Sequence, residues 1–161
     1  MIFKSRLITR CYRVASWIPR VQGLLLLVAA SACAQDITIN TFEASTYGAW
    51  TTTGTAFGSG PALGTLAGQN PVTGYQGSSL VNTFLGGDAS TGTLTSPPFA
   101  IQRNYIRFLI GGGNQRGKTC MNLIVNGQVV RSSVGMGDRE ELTALQWNVS
   151  NLINSNSTIQ I

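Results

Sequence analysis

The run Thr119-Cys120-Met121-Asn122-Leu123-Ile124-Val125-Asn126-Gly127-Gln128-Val129-Val130-Arg131-Ser132-Ser133 decides the fold class. Two β-rich stretches flank Asn126-Gly127, a dipeptide suited to the positive φ angles of a type I′ turn, so the spacing predicts a β-hairpin. Cys120 sits in the apolar-alternating first arm. A small buried hydrophobe on a strand explains it better than a nucleophile does.

Working outward, the same pattern recurs. Short runs bounded by turn residues cover Ile37–Phe42, Ala49–Thr55, Ser79–Phe84, Thr91–Thr95, Tyr105–Ile110, Leu145–Val149 and Thr158–Ile161. Eighteen of the 19 glycines follow residue 35, mixed with Thr, Ser and Asn, and no window of a dozen residues keeps a 3.6-residue apolar period. Helix is therefore largely excluded, and the spacing predicts an all-β antiparallel sandwich. The apolar density of Asn104–Ile110 predicts a central strand buried on both sides. Pro97-Pro98 cannot donate ladder hydrogen bonds and marks a strand end or an edge. The expected core is Phe42, Leu80, Phe84, Ile106, Phe108, Ile110, Leu123, Val125, Trp147 and Val149.

The length of 161 residues sets a single-domain expectation, and the chain contains no histidine. That removes Ser-His-Asp and Cys-His catalysis, His-ligated zinc and any imidazole proton shuttle. The net charge of +5 suggests nucleic acid until its placement is read. Lys4, Arg6, Arg10, Arg13 and Arg20 all precede the apolar run Gly23–Ala30, whereas from Asp36 onward six basic residues balance six acidic ones. A basic start, a short apolar stretch and a small-residue tail are the layout of a secretory signal peptide. Residues 1–35 are thus expected to be the leader and 36–161 the module, with the product secreted or periplasmic. Ala32-Cys33-Ala34 suits ordinary cleavage, while Ala30-Ser31-Ala32-Cys33 resembles a lipobox in which Cys33 would carry a lipid anchor. With Cys11 and Cys33 in the leader, Cys120 is the one thiol left in the body, and no internal disulfide can form there.

Gly112-Gly113-Asn114-Gln115-Arg116-Gly117-Lys118-Thr119 satisfies the phosphate-binding loop pattern letter for letter. A working loop needs a helix next, whose N-terminal amides hold the phosphates. Here the next residues are the first arm of the hairpin, so a glycine-rich connection between strands is expected, and no nucleotide. Asp88, Asp138, Glu140 and Glu141 lie in turn-like sequence and are expected to be solvated rather than a glycosidase pair. Arg103, Arg107, Arg116 and Lys118 lack the density of a nucleic-acid surface. Tyr47, Trp50, Phe57 and Tyr75 fall in turn-rich sequence and can either stack on a sugar ring or pack inside. No residue set calls for a cofactor, and no carboxylate-rich loop offers the six to eight oxygens of a calcium site. The sequons Asn148-Val149-Ser150 and Asn156-Ser157-Thr158 read as incidental behind a leader of bacterial layout.

A set of motifs carries a resemblance. Tyr47–Gly58 (YGAWTTTGTAFG), Gly74-Tyr75-Gln76-Gly77, Leu80–Phe84 (LVNTF), Gly86-Gly87-Asp88, Thr91–Pro97 (TGTLTSP) and Phe108–Asn114 (FLIGGGN) resemble, in order, the N-terminal β-sandwich module of secreted levanases and fructan β-fructosidases of glycoside hydrolase family 32. The likeness runs from about Asp36 to the last residue and implies a jelly-roll, galactose-binding-like sandwich cut short at its C-terminal end, before a Gly-Trp-Gly segment and a closing strand. In that family a separate propeller carries hydrolysis through Asn-Asp-Pro-Asn, Arg-Asp-Pro and Glu-Cys motifs, none of which occurs in this sequence. The family also often has Asp where Asn148 stands.

The resemblance therefore implies a non-catalytic module that supports a catalytic propeller and has fructan as a candidate polysaccharide partner. A free-standing carbohydrate-binding or adhesion module is the other reading. If sugar is bound, Tyr47 and Tyr75 are the expected stacking platforms, with Trp50 and Phe57 facing inward. Asn82, Asp88, Asn114 and Arg116 would add hydrogen bonds if their loops gather at one end.

Overall fold

The computed structural model describes residues 2–5, 35–137 and 139–161; Met1 and residues 6–34 of the expected leader, with Asp138, lie outside the described residues. In chain order the strands are β1 (Ile2–Ser5), β2 (Thr51–Gly54), β3 (Val81–Asn82), β4 (Gly92–Thr95), β5 (Phe99–Ala100), β6 (Tyr105–Gly111), β7 (Met121–Val125), β8 (Gln128–Ser133), β9 (Thr143–Asn148) and β10 (Asn156–Gln160). One 3-10 turn, Ser150–Leu152, interrupts them, and no α-helix occurs among the described residues. One sheet has the order β3-β1-β6-β9 and the other β2-β4-β10-β7-β8, with β5 also pairing β10. All these pairings are antiparallel, and the chain is an all-β sandwich.

The Asn126-Gly127 hairpin forms as the dipeptide dictates. Val125 pairs with Gln128, and Asn126 and Gly127 adopt φ of 50° and 75°, the twist that matches the flanking strands. A register shift between Leu123 and Ile124 adds local twist to β7.

Alternation on each sheet builds the core. Ile106, Phe108 and Ile110 of β6 and Trp147 of β9 meet Leu94, Met121, Leu123 and Ile159 of the facing sheet. Phe42, Tyr47, Trp50 and Phe57 join them through edge-to-face contacts, with centroids 5.1 Å apart for Phe42 and Trp50 and 6.4 Å for Tyr47 and Phe57. Such pairs add about 0.5–1.5 kcal/mol beyond their buried area. A second, smaller cluster joins Val72, Leu80 and Leu142 to Leu109 and Tyr75. The expected double burial of β6 is not reached: Ile106, Phe108 and Ile110 are buried, whereas Tyr105, Arg107 and Leu109 on the other face stay partly exposed, Leu109 packing against the smaller cluster.

Several local expectations differ from the structure. Ile37–Phe42 is not a strand, because Phe42 takes φ of 55° and its N–H donates to Asn40 Oδ1 at 2.7 Å, a turn that still delivers the ring to the core. Phe84 is only half-buried, because the chain leaves the sheet after Asn82. Pro97-Pro98 does end β4, but the chain then resumes as β5 on the same partner, β10. Ser96 carries the pairing up to the prolines, since its N–H donates to the Ile159 carbonyl at 2.8 Å and its Oγ accepts the Ile159 N–H at 2.8 Å.

One pairing reaches into the expected leader. β1 lies between β3 and β6, with Ile2 opposite both Gly111 and Asn82, and Ser5 opposite Phe108.

Candidate functional site

The phosphate-loop look-alike leads into the site. After Gly111 the chain turns outward; Gln115 and Thr119 close a tight turn in which Thr119 N–H donates to the Gln115 carbonyl at 2.8 Å and Gln115 N–H to Thr119 Oγ1 at 3.1 Å. β7 follows, not a helix, so no row of helix N-terminal amides exists here to cradle phosphate. The glycines serve chain packing instead. A Cβ on Gly111 would lie 2.5 Å from the Glu141 carbonyl oxygen, and Gly112 N–H donates to the Arg139 carbonyl at 2.8 Å.

That packing draws the 139–142 segment beside the turn and helps form a polar groove of about 580 Å³. Its walls come from Gln69 and Asn70, from Thr83 and Phe84 just past β3, from Gly87, Asp88 and Ser90, from Gly113–Gln115 with Thr119, and from Glu140. The 86–90 loop is held by Gly87 N–H to the Phe84 carbonyl at 2.8 Å and Ser90 N–H to the Gly87 carbonyl at 3.1 Å. It needs glycine at 86 and 87, both at positive φ of 83° and 87°. Amides that donate and accept, hydroxyls, two carboxylates and a half-buried phenyl ring suit a neutral polyhydroxylated ligand.

Of the residues expected to touch sugar, Asp88 and Asn114 line this groove together. Asn82 lies beneath it, 2% exposed, with Nδ2 donating to the Gly64 carbonyl at 3.1 Å and to Gln69 Oε1 at 2.7 Å. It therefore positions the wall and does not line the groove. Arg116 is exposed on the adjoining turn and is not part of the lining.

The expected platforms do not take that role. Tyr47 is 5% exposed in the main core, its hydroxyl donates to the Phe57 carbonyl at 3.0 Å, and burial pushes its pKa up to about 12. It belongs to the wall of a separate, more apolar cleft of about 450 Å³ beside Trp50 and Pro97-Pro98. Tyr75 is half-buried against the Val72, Leu80 and Leu142 cluster, outside the groove. The ring that does line the groove is Phe84, which its apolar, alternating context had assigned to the core. The Gly86-Gly87 turn right after it was the available signal that the chain bends away there. Among the described residues, no three His, Cys, Asp or Glu side chains are placed to hold a metal ion together.

With this geometry in place, comparison with known proteins adds a class. Over 112 residues, 70% of the chain, the sequence is 51% identical to "Putative glycosyl hydrolase ecdE" of Aspergillus rugulosus. The match spans 16% of that relative's length. The likeness links the chain to a protein named as a putative glycosyl hydrolase and is confined to a small part of that protein. No protein-family model matches it, and no solved structure does.

Proposed function

We propose that this chain is the non-catalytic sandwich module of a secreted glycoside hydrolase acting on fructans, of the levanase or fructan β-fructosidase type, and that its polar groove contacts sugar. The observation that carries the reading is the 51% identity to a stretch making up 16% of a protein named as a glycosyl hydrolase. A module of that share leaves room for a separate catalytic domain. The groove supports sugar contact, since Asp88, Asn114, Gln69 and Glu140 surround the Phe84 ring with hydrogen-bonding groups. A furanose, apolar on one face and ringed by hydroxyls, suits that mix.

Titration of the purified chain with levan and inulin oligosaccharides tests both parts. Heat of binding at millimolar sugar, lost in Phe84→Ala and Asp88→Asn but kept in Arg116→Ala, is the expected result. No heat and no retardation on fructan gels would remove the sugar contact and leave support of a catalytic domain. Fructose release by the chain alone, abolished by changing one carboxylate, would overturn the non-catalytic reading.

A further inference from the structure

The two sequons are both exposed at their asparagines but differ in their surroundings. Asn156 opens β10, a strand inside its sheet that pairs with both β5 and β7, and the next residue, Ser157, is buried with its hydroxyl donating to the Phe99 carbonyl. Asn148 ends β9, the edge strand of the other sheet, and is exposed. Its Oδ1 accepts from Ser150 N–H at 3.0 Å and from Ser150 Oγ at 2.8 Å, joining the first and third residues of the sequon. Its own carbonyl oxygen accepts from Arg131 Nε at 3.1 Å and Nη2 at 3.0 Å, which fixes the backbone. Because an amide's oxygen and nitrogen diverge from one carbon, a side chain held through Oδ1 turns Nδ2 away from the turn. Among the described residues Nδ2 has no hydrogen-bond acceptor.

We propose that Asn148 is an N-glycosylation site. In the reaction, the bond from the anomeric carbon of a lipid-pyrophosphate-linked oligosaccharide to its phosphate oxygen breaks. The new bond joins that carbon to Nδ2 of Asn148, Nδ2 loses one proton to a base of the transferase, and the lipid pyrophosphate departs. The proposal rests on the secretory leader, not on the fructan reading. The bacterial layout of that leader argued against glycosylation, but a relative 51% identical is fungal and so belongs to organisms that perform this chemistry. The folded module also has room for a glycan. β9 carries Asn148 away from the Glu140 side of the groove by its own length, roughly 17 Å at the usual strand rise, so the glycan leaves the groove open.

The test is expression of the full chain in yeast, followed on denaturing gels before and after peptide N-glycosidase treatment, alongside a second form of the chain in which the host's own leader replaces residues 1–35. The expected result is one glycan, removed by the enzyme, absent in N148Q and in S150A and retained in N156Q, with peptide mass showing Asn converted to Asp at position 148. Denaturing gels read the modification whether or not a variant folds. No enzyme-sensitive shift from either form, or a shift that persists in N148Q and disappears in N156Q, overturns the proposal.

Discussion

Asn82 and Gln69 face each other amide to amide: Asn82 Nδ2 donates to Gln69 Oε1 at 2.7 Å, and Gln69 Nε2 donates back to Asn82 Oδ1 at 3.2 Å. Asn82 also donates to the Gly64 carbonyl and accepts from Phe84 N–H at 3.1 Å. One buried side chain thus fastens the 64–69 loop to the end of β3 and sets where Phe84 emerges. Asn82→Ala leaves the buried Gly64 carbonyl and the part-buried Gln69 amide and Phe84 N–H without this partner and is expected to cost about 2–3 kcal/mol. Urea unfolding reads this as a lower midpoint at unchanged slope. Sugar binding should weaken in the same variant, since Gln69 lines the groove.

Tyr47 gives the sandwich an alkaline weakness. Burial raises its pKa from 10 to about 12, so above pH 10 the unfolded chain releases this proton more readily than the folded one. Its contribution to stability is complete below pH 10 and is lost as pH rises through about 12. Thermal midpoints measured from pH 9 to 12 should fall across that window. Tyr47→Phe should flatten the fall while losing about 1 kcal/mol at neutral pH, the net value of the bond to the Phe57 carbonyl.

Trp147 ties the two sheets together. Its ring lies 4.7 Å from that of Phe108, and its Nε1–H donates to Ser133 Oγ of β8 in the facing sheet at 2.9 Å. Trp147→Ala removes ring and bond together and is expected to cost about 3–5 kcal/mol. Ser133→Ala removes only the acceptor and should cost about 1–3 kcal/mol, the penalty of a stranded indole N–H. Equal losses in denaturant unfolding would show that the bond, not the ring, joins the sheets.

β1 makes the consequence of removing residues 1–35 measurable. Among the described residues β3 has no strand partner except β1, and β6 has only β9 besides. Cleavage after residue 35 would take β1 away and leave two ladder sites facing an open slot. Amide exchange at the alternate residues of Phe108–Gly111 whose N–H faces β1 should quicken by at least about tenfold when a protease site inserted at residue 35 is cut and the released peptide washed out, because strand amides without partners open to water, while those facing β9 stay protected. Unchanged protection would mean that β1 contributes nothing to this sheet.

Most of the β content was legible because alternation and turn chemistry act locally. Asn126-Gly127, the runs around Phe108 and Leu123, and the Pro97-Pro98 break each carry their own physical reason. The N-terminal stretch misled for an equally local reason. Ile37–Phe42 alternates like a strand, yet an Asn40 side chain captures the Phe42 N–H and turns the chain. The groove was legible only in part. That Asp88 and Asn114 lie at the surface of one groove could be read because glycine-rich turns expose polar side chains, whereas the inward fate of Tyr47 depends on Phe42 and Phe57 closing around it, a long-range fact absent from its neighbourhood. Nothing in the sequence joined Gln69, Thr83 and the turn carboxylate Glu140 to one site, since they become neighbours only through topology.

Two glycines that look alike in sequence should behave differently when changed to alanine. Gly127 sits at φ of 75° with nothing within 4 Å of the position a Cβ would occupy. Gly127→Ala therefore costs only backbone strain in the left-handed region, about 1–2 kcal/mol, and leaves the groove untouched. Gly111 has an ordinary φ, but its Cβ would stand 2.5 Å from the Glu141 carbonyl oxygen and 2.8 Å from the carbonyl carbon. Both obstacles are backbone, so the 139–142 segment must move as a unit. Gly111→Ala should cost about 3 kcal/mol or more, since overpacking penalties reach that range when backbone has to shift. It should also carry Glu140 out of the groove wall. Thermal unfolding and oligosaccharide titration of both variants decide the matter: the first should lose stability with full binding, and the second should lose both. Full binding in a folded Gly111→Ala would show that the close approach of these two chains does not shape the groove.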